Sequence, residues 1–499
     1  MWVRSGRERT NMARMITEAA RPTERDVAGH APIPTIRWLD GSTIASPLSI
    51  ARPVRRVSSD ASPVGASTLL LGLSAALDLT EGQLPGHALR TTYLAMRVAD
   101  DLGLSTTDRG YLFNASILKD AGCSSNSAAI TRVFGTDDIE LKRRQSTIEG
   151  SMLAYAAFTI RNLPPSESIP VRIRRLIAIG IRGSQERRHV EQLRCERGAS
   201  IARKAGFSDE VGRAIHDIHE RWDGSGEPRG LRGPQIDPLA RLISACAALD
   251  VFNSTAGRSA AVDVLARRRG SWYDPDIVDT ILIAASRGLL DDLEAPDLLA
   301  RTTALEPEQP LSIPGTGDVD TISSAFADII DAKSPYTASH SHRVAEIAES
   351  IALSMGLPDS DVIDIRRAAL LHDLGKLGVP NIILDKPGRL DDAEMEVIRR
   401  HPELSYRILA GIPTMSRVAE LAACHHERLD GRGYFRGLAA EELATGARIV
   451  AVADVFEALI AERPYRSAMP TEQALSILRA ESGDHLAADV VEALELLLN

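Results

Sequence analysis

The chain has 499 residues, which is long for one compact domain, so about three units of ~150 residues are expected. Apolar residues make up 44% of the chain and aromatic residues only 4%, which favours helical cores built from Leu, Ile, Val and Ala. The net charge of −10 argues against a nucleic-acid polymer as partner, because phosphate binding normally needs a clustered basic surface.

Residues 1–66 mix arginine with Pro, Ser, Thr and Gly and show no helical or alternating period, which predicts a disordered tail. This segment lacks the apolar stretch of a secretory signal, and no later apolar run reaches the ~20 residues that a membrane helix requires. The four cysteines are scattered and suggest neither disulfides nor a thiolate zinc site. A cytoplasmic protein without a membrane span is therefore expected.

Helical periodicity then predicts two blocks, at residues 67–300 and 317–499, joined by a linker at 301–316. The linker contains EPEQP at 306–310 and continues into IPGTG at 313–317, where Pro and Gly prevent a helix or strand from continuing. The predicted fold class is all-α, with two helical bundles in tandem.

The two blocks are copies of each other. HALR at 87–90 matches HSHR at 340–343, which is a separation of 253 residues between the two first histidines. HERWDGSG at 219–226 matches HERLDGRG at 426–433, which is a separation of 207 residues. The first copy therefore carries about 46 more residues than the second between these two segments.

The second copy concentrates imidazole and carboxylate side chains, which suit iron, manganese, zinc or nickel. Seven candidates lie in or beside different helical segments: His340, His372, Asp373, His401, His425, His426 and Asp454. One catalytic metal needs fewer protein ligands, so this number indicates two metals that share a carboxylate. Burying Asp373 beside His372 in an apolar segment is costly unless a metal or another partner satisfies the pair.

Seven segments of the second copy are similar to the HD-GYP family, a branch of the HD-domain phosphohydrolases. They read YTASHSHRV at 336–344, LHDLGKLGVP at 371–380, KPG at 386–388, HPE at 401–403, HHERLDGRGYF at 425–435, ADVF at 453–456 and RPYR at 463–466. The resemblance covers residues 317–499. It implies an all-helical phosphodiesterase that cleaves cyclic di-GMP to pGpG, with GMP as a further product in some members.

The resemblance also implies roles for individual residues. One metal ion would be bound by His340, His372, Asp373 and Asp454, and the other by His401, His425, His426 and the bridging Asp373. The two divalent ions would be iron or manganese, with zinc and nickel as alternatives. The catalytic residues would be Asp373 and Lys376, and Lys376 would meet a substrate phosphate. Tyr434 and Arg436 are further candidates for substrate contact.

Three positions depart from the family pattern. Phe435 stands where the family has proline, which predicts a less rigid loop, and Glu457 stands where the family usually has aspartate. Tyr336 occupies the position at which some members carry a glutamate for a third metal, so two metals are expected. We expect the Phe435 ring to pack on a guanine or on the first copy, because aromatic residues are scarce here and seldom serve in a solvated turn.

The first copy lacks most of these ligands. Opposite the seven candidates it has His87, Lys119, Asp120, Arg194, Ile218, His219 and Ala247. The positive charges of Lys119 and Arg194 would repel a metal ion. The first copy is therefore predicted to be a degenerate HD domain that kept its packing and lost its catalyst. Its role is open between dimerisation, which would give a homodimer, regulation and ligand sensing.

Two other functions remain open at this point. The chain could be an HD phosphohydrolase of a different cyclic dinucleotide or of a phosphorylated guanosine alarmone. It could also be a non-catalytic module that senses cyclic di-GMP or docks with a diguanylate cyclase through the loop at Tyr434. The complete ligand set argues against the non-catalytic module, and metal content followed by a product assay distinguishes the three functions.

Overall fold

A computed structural model describes residues 66–147, 152–163, 169–307, 319–462 and 467–498. The predicted tail lies outside these ranges apart from Ala66, as do residues 308–316 of the predicted linker and the RPYR segment at 463–466. The described residues form α-helices and short 3-10 helices, with isolated β-bridges and no strand. The all-α prediction is confirmed. None of the helices described is both long enough and apolar enough to cross a membrane.

The first copy is built from twelve described α-helices. They are α1 (Ala66–Glu81), α2 (His87–Asp101), α3 (Thr106–Leu118), α4 (Ser127–Phe134), α5 (Asp138–Ser146), α6 (Met152–Arg161), α7 (Ile169–Lys204), α8 (Asp209–Asp217), α9 (Pro238–Ala256), α10 (Arg258–Arg268), α11 (Pro275–Ser286) and α12 (Leu298–Thr303). Helix α12 thus extends three residues beyond the predicted end of this block at residue 300.

The second copy contributes ten described α-helices. They are α13 (Val319–Asp331), α14 (His340–Ser354), α15 (Asp359–Leu371), α16 (Asn381–Leu384), α17 (Asp392–Arg399), α18 (His401–Ala410), α19 (Ser416–Ala423), α20 (Thr445–Ile460), α21 (Thr471–Ala480) and α22 (Ala488–Leu498). A 3-10 helix, Leu374–Gly378, follows α15.

Local capping explains where several of these helices begin. Helix α5 follows Asp137, whose carboxylate accepts the backbone N–H groups of Ile139 and Glu140 at 2.8 and 3.0 Å. Helix α9 follows Asp237, which caps its first turn, and has Pro238 as its first residue. Both patterns satisfy or remove backbone donors that the first turn leaves unpaired.

Two glycines show that the copies share the same packing. A Cβ added at Gly122 would lie 1.9 Å from the carbonyl oxygen of Arg194, and one added at Gly375 would lie 2.0 Å from that of His401. No other residue fits such a close approach without a shift of the backbone. Arg194 in α7 therefore stands in the first copy where His401 in α18 stands in the second, as the repeat predicted.

Helix α1 belongs to the first copy but packs against the second, on the 3-10 helix Leu374–Gly378 and on α18. A Cβ added at Gly72 would lie 2.3 Å from Cγ1 of Ile412, and one added at Gly378 would lie 3.5 Å from Cδ1 of Leu79. The buried apolar residues of both copies accordingly join in one hydrophobic cluster.

Candidate metal centre

Helix boundaries supply most of the seven predicted ligands. His340 and His401 are the first residues of α14 and α18, His372 directly follows α15, and Asp454 lies within α20. Five of the ligands are buried: His340, His372, Asp373, His401 and His425. His426 and Asp454 are partly exposed. The helix ends therefore bring imidazole and carboxylate groups from five parts of the second copy into one cluster.

Backbone carbonyls orient three of the imidazole rings. Nδ1 of His372, His401 and His425 lies 2.7, 2.7 and 2.6 Å from the carbonyl oxygen of the residue three positions earlier. A carbonyl oxygen only accepts a hydrogen bond, so Nδ1 carries a hydrogen in each ring, and Nε2 is the nitrogen with the lone pair whenever the ring is neutral. In all three rings Nε2 is the atom available to a metal ion.

His340 is oriented by a carboxylate instead. Its Nδ1 lies within hydrogen-bond reach of Oε2 of Glu457, which is fully buried. Nε of Arg343 donates to the other oxygen of Glu457 at 2.7 Å. The glutamate that replaces the family's aspartate thus links α20 to the first turn of α14. The replacement is visible in the sequence, but this role of Glu457 was not predicted from it.

The Asp373 carboxylate lies between two pairs of imidazole rings. Its Oδ2 is 3.7 Å from Nε2 of His340 and 3.4 Å from Nε2 of His372. Its Oδ1 is 3.3 Å from Nε2 of His401 and 3.8 Å from Nε2 of His425. One carboxylate therefore faces both halves of the cluster, one oxygen to each half.

The two remaining ligands complete the halves. Oδ1 of Asp454 lies 3.3 Å from Nε2 of His340 and 3.8 Å from Nε2 of His372. His426 forms a group with His401 and His425 whose ligand atoms all lie within 4.8 Å of one another. The structure thus brings together all seven residues that the sequence analysis selected.

Burial and neighbouring carboxylates shift the pKa values of the histidines in different directions in the two halves of the cluster. Burial opposes the charged form of His340, yet the hydrogen bonds that the ring donates to Asp454 and Glu457 raise its pKa to about 9. In the other half, burial lowers the pKa of His426 to about 3 and that of His425 well below its ordinary value. Neutral imidazole is the form that binds a metal, so His425 and His426 are ready to do so without losing a proton.

Two buried atoms indicate that a cation fits this cluster. Nε2 of His372 and Oδ1 of Asp373 are buried without a hydrogen-bond partner among the described residues, which is costly unless something binds them. Although burial opposes it, His372 and Lys376 hold the carboxyl pKa of Asp373 well below its ordinary value. An ionised carboxylate and imidazole nitrogens are the ligands that first-row divalent ions take, so these residues fit such an ion.

The candidate substrate residues Lys376 and Tyr434 lie beside the cluster. Nζ of Lys376 is 2.6 Å from Oδ2 of Asp373, and its side chain is 23% exposed. The Tyr434 ring lies 4.7 Å from the His426 ring, between centroids. Both side chains could therefore contact a molecule bound at the cluster.

Arg436, the third candidate for substrate contact, is held by other side chains. Its Nη1 donates to Oε2 of Glu420 at 2.6 Å. Its guanidinium carbon lies 4.4 Å from the ring centroid of Tyr406 and 4.8 Å from that of Phe435. The ring centroids of Phe435 and Tyr406 are 5.7 Å apart. Among the described residues, the aromatic and guanidinium partners of Phe435 thus belong to the second copy and not to the first, and packing on a guanine stays a prediction.

The backbone at Phe435 has a φ of 102°, in the left-handed region. Proline, with φ fixed near −65°, cannot take this conformation. Glu427 anchors the same loop, because its carboxylate accepts the backbone N–H groups of Arg436, Gly437 and Leu438 at 2.7, 3.2 and 3.0 Å. The expectation of a less rigid loop considered the missing proline alone and did not include this anchor.

Cations occupy the corresponding place in the first copy. The ammonium group of Lys119 contacts the Asp120 carboxylate, and Nη2 of Arg194 lies 3.1 Å from Oδ1 of Asp120 and 3.2 Å from Oε2 of Glu81. Glu81, Asp120 and Cys123 are close enough together to hold an ion. Because Lys119 and Arg194 already balance these carboxylates, the arrangement supports the prediction of a degenerate site.

The first copy nevertheless retains a carboxylate that orients its first histidine. Nδ1 of His87 lies 2.7 Å from Oδ2 of Asp250, and Nε of Arg90 donates to Oδ1 at 2.6 Å. This repeats the contacts of His340 and Arg343 with their shared glutamate. Aligning the two copies beyond the ligand positions could therefore have revealed the role of that glutamate from the sequence.

The helical fold and the cluster of histidines and aspartates define an HD-domain protein. The chain belongs to this family, since the family model described as "HD domain" matches residues 167–277 and 324–490, in both copies. Within it, the chain is of the HD-GYP type, as the sequence resemblance implied.

Among curated proteins, the chain is 39% identical to the 3′3′-cGAMP-specific phosphodiesterase 3 of Vibrio cholerae, over 87% of this chain and 94% of that protein. It is 42% identical to a cyclic di-GMP phosphodiesterase of Thermotoga maritima, over 31% of this chain and 42% of that protein. Among solved structures, a cyclic GMP-AMP specific phosphodiesterase of V. cholerae matches with a TM-score of 0.59 and 35% identity. That match covers 87% of this chain and 97% of the other.

Proposed function

We propose that this chain is a metal-dependent phosphodiesterase that opens a 3′–3′ cyclic dinucleotide. The observation that carries the proposal is the Asp373 carboxylate, which faces imidazole Nε2 atoms with each of its two oxygens. We propose two ions that share Asp373. They would be held by His340, His372 and Asp454 on one side and by His401, His425 and His426 on the other. Bound divalent ions supply Lewis acidity to a phosphodiester and make water a stronger acid.

The chain's own residues would position the phosphodiester for hydrolysis. Lys376 places a positive charge at the edge of the cluster, where it can meet a non-bridging phosphate oxygen. The oxygen of water forms a bond to phosphorus while the bond from phosphorus to the 3′ oxygen breaks. One proton of that water ends on the 3′ oxygen. The product is a linear dinucleotide with a 5′-phosphate and a free 3′-hydroxyl.

The relatives also favour one pair of bases in the cyclic dinucleotide. The V. cholerae relative named as specific for 3′3′-cGAMP matches both copies of this chain, whereas the T. maritima relative named for cyclic di-GMP matches 31% of it. We therefore propose 3′3′-cGAMP as the preferred substrate. Cyclic di-GMP, which the sequence resemblance implied, is the second candidate, with pGpG and then GMP as products.

Metal analysis and a two-substrate assay test the proposal. The chain is purified without oxygen, its metal content is measured, and it is incubated with 3′3′-cGAMP or cyclic di-GMP while chromatography follows the products. We expect about two divalent ions per chain and a kcat/KM for 3′3′-cGAMP about tenfold above that for cyclic di-GMP. As a control, a chelator should remove activity, and iron or manganese should restore it.

Other outcomes favour other functions. Bound metal with no turnover of either nucleotide would indicate a phosphohydrolase of another nucleotide. A chain without metal or turnover would indicate a binding module. The expected diguanylate cyclase partner, the homodimer and the cytoplasmic location stay predictions.

A further inference from the structure

A buried ion pair joins the two copies. Asp138, the first residue of α5, is fully buried, and its Oδ2 lies 3.2 Å from Nζ of Lys333, which is 1% exposed. Oδ1 of Asp138 accepts the backbone N–H of Asn381 at 2.8 Å. Two charges removed from water remain stable only when each compensates the other, so Asp138 and Lys333 depend on one another.

Hydrogen bonds extend this pair into the second copy. The side-chain amide of Asn381 donates to the carbonyl oxygen of Lys333 at 2.7 Å and to Oδ2 of Asp385 at 2.8 Å. The hydroxyl of Ser334 donates to Oδ1 of Asp385 at 2.6 Å. Asp138 therefore holds together two segments of the second copy, one at Lys333 and one at the start of α16.

Both segments lead directly to metal ligands. The turn after Lys333 ends at His340, whose backbone N–H donates to the carbonyl oxygen of Thr337 at 3.0 Å. Asn381 is separated by two residues from the 3-10 helix Leu374–Gly378, which begins immediately after the shared carboxylate. A shift of either segment would therefore move a ligand on one side of the cluster relative to the other.

The fold itself does not require a lysine at this position. The position that corresponds to Lys333 in the first copy, 253 residues earlier, is Thr80, which is uncharged and also fully buried. In the first copy the ammonium group of Lys142, which is also buried, donates to the carbonyl oxygen of Thr80 at 3.3 Å. Lys333 differs in that its carboxylate partner belongs to the other copy.

We propose that Asp138, which belongs to the copy without metal ligands, is a positioning residue for the metal centre of the other copy. The inference rests on the metal site proposed above. The first copy would thereby set how well the second holds its metals, through one carboxylate that binds Lys333 and Asn381.

Metal titration and kinetics of full-length variants test this inference. In Asp138→Ala we expect the Kd for Mn²⁺ to rise about tenfold and kcat to fall about tenfold, with KM for the cyclic dinucleotide within about twofold of wild type. Asp138→Asn keeps an acceptor for the Asn381 N–H and should show a smaller loss. The matched control is Asp137→Ala, which removes the cap of the same helix and should lower the thermal midpoint without changing Kd or kcat.

A double variant separates positioning from charge burial. Asp138→Leu with Lys333→Met removes both charges, so the thermal midpoint should recover while Kd for Mn²⁺ stays raised. Full recovery of Kd and kcat would overturn the inference, as would wild-type Kd in Asp138→Ala or an equal loss in Asp137→Ala. The wild-type chain is titrated alongside, and failure to bind Mn²⁺ there would overturn the proposed function together with the inference.

Discussion

Asp373 and its counterpart Asp120 show how neighbouring residues give the same type of side chain two different roles. Asp373 faces imidazole nitrogens with both oxygens, whereas Asp120 is paired with Lys119 and Arg194. Lys376 contacts one oxygen of Asp373, but the other oxygen is buried without a hydrogen-bond partner among the described residues. Asp120 is balanced by the two cations beside it. Substitution of the two aspartates should therefore have opposite consequences for metal binding and stability.

Asp373→Ala is expected to abolish hydrolysis and to reduce bound metal, because it removes the carboxylate shared between the two halves. The fold should persist, since the apolar helix faces are unchanged. Elemental analysis, circular dichroism and the nucleotide assay provide the measurements. Turnover at the wild-type rate would contradict a shared carboxylate.

Asp120→Ala should leave metal content unchanged but lower the free energy of unfolding by about 3–5 kcal/mol, because the buried ammonium group of Lys119 loses its carboxylate partner, while Arg194 keeps its contact with Glu81. Denaturant unfolding compared with wild type measures this change. A loss of metal equal to that in Asp373→Ala would show that the first copy also binds ions.

The hydroxyl of Ser405 helps to hold the segment that contains His372 and Asp373. Its buried hydroxyl accepts the N–H of Gly375 at 2.8 Å and donates to the carbonyl oxygen of His372 at 2.9 Å. Ser405→Ala should lower the free energy of unfolding by about 1–3 kcal/mol and weaken Mn²⁺ binding, because a buried N–H beside the ligands loses its partner. Ser350→Ala, on the exposed face of α14, is the matched control. Equal effects in the two variants would contradict a role at the centre.

At the scale of elements, the loop after α19 shows how backbone conformation limits which residue can stand at a position. Phe435 has a φ of 102°, and its ring lies beside Tyr406. The carboxylate of Glu427 anchors the three residues that follow Phe435. The loop therefore keeps Tyr434 beside His426 although the family's proline is absent.

Phe435→Pro should lower the free energy of unfolding by about 1–3 kcal/mol, because proline cannot take the observed φ and the loop must rearrange. Phe435→Gly tolerates that φ and loses only the ring, with its pair contribution of about 0.5–1.5 kcal/mol beyond buried area. Thermal or denaturant unfolding of the two variants separates the backbone effect from the ring effect. A proline variant as stable as wild type would contradict the assigned backbone conformation.

The two copies of the bundle differ in the charged groups that they hold at the same place. The second copy keeps histidines and aspartates around a buried cluster, and the first has an internal ion-pair network at the corresponding place. Helix α1 and Asp138 then attach the first copy to the part of the second that carries the ligands.

A full-length variant with His372→Ala, Asp373→Ala and His401→Ala should contain no stoichiometric metal, because both halves of the cluster lose ligands and the first copy is expected to bind no metal. Its thermal midpoint should be the same with and without a chelator, whereas that of the wild-type chain should fall when the chelator removes the metal. Calorimetry and elemental analysis provide both readouts. Two ions per chain in this variant would refute a degenerate first copy.

The helical class, the repeat and the seven candidate ligands could be predicted from the sequence alone. These features follow from local patterns, since helical periodicity, helix ends and short motifs such as the one around His372 depend on neighbouring residues. The prediction that the first copy is degenerate was made in the same way, because Lys119 and Arg194 could be compared position by position with the candidate ligands of the second copy.

Only the tertiary structure decided how the cluster is held. The contact of Glu457 with His340 spans 117 residues of chain, and that of Asp138 with Lys333 spans 195. The φ of Phe435 likewise depends on how the whole loop is anchored. Local patterns do not encode these features, because a buried charge or a left-handed backbone is stable only when a distant part of the chain supplies its partner.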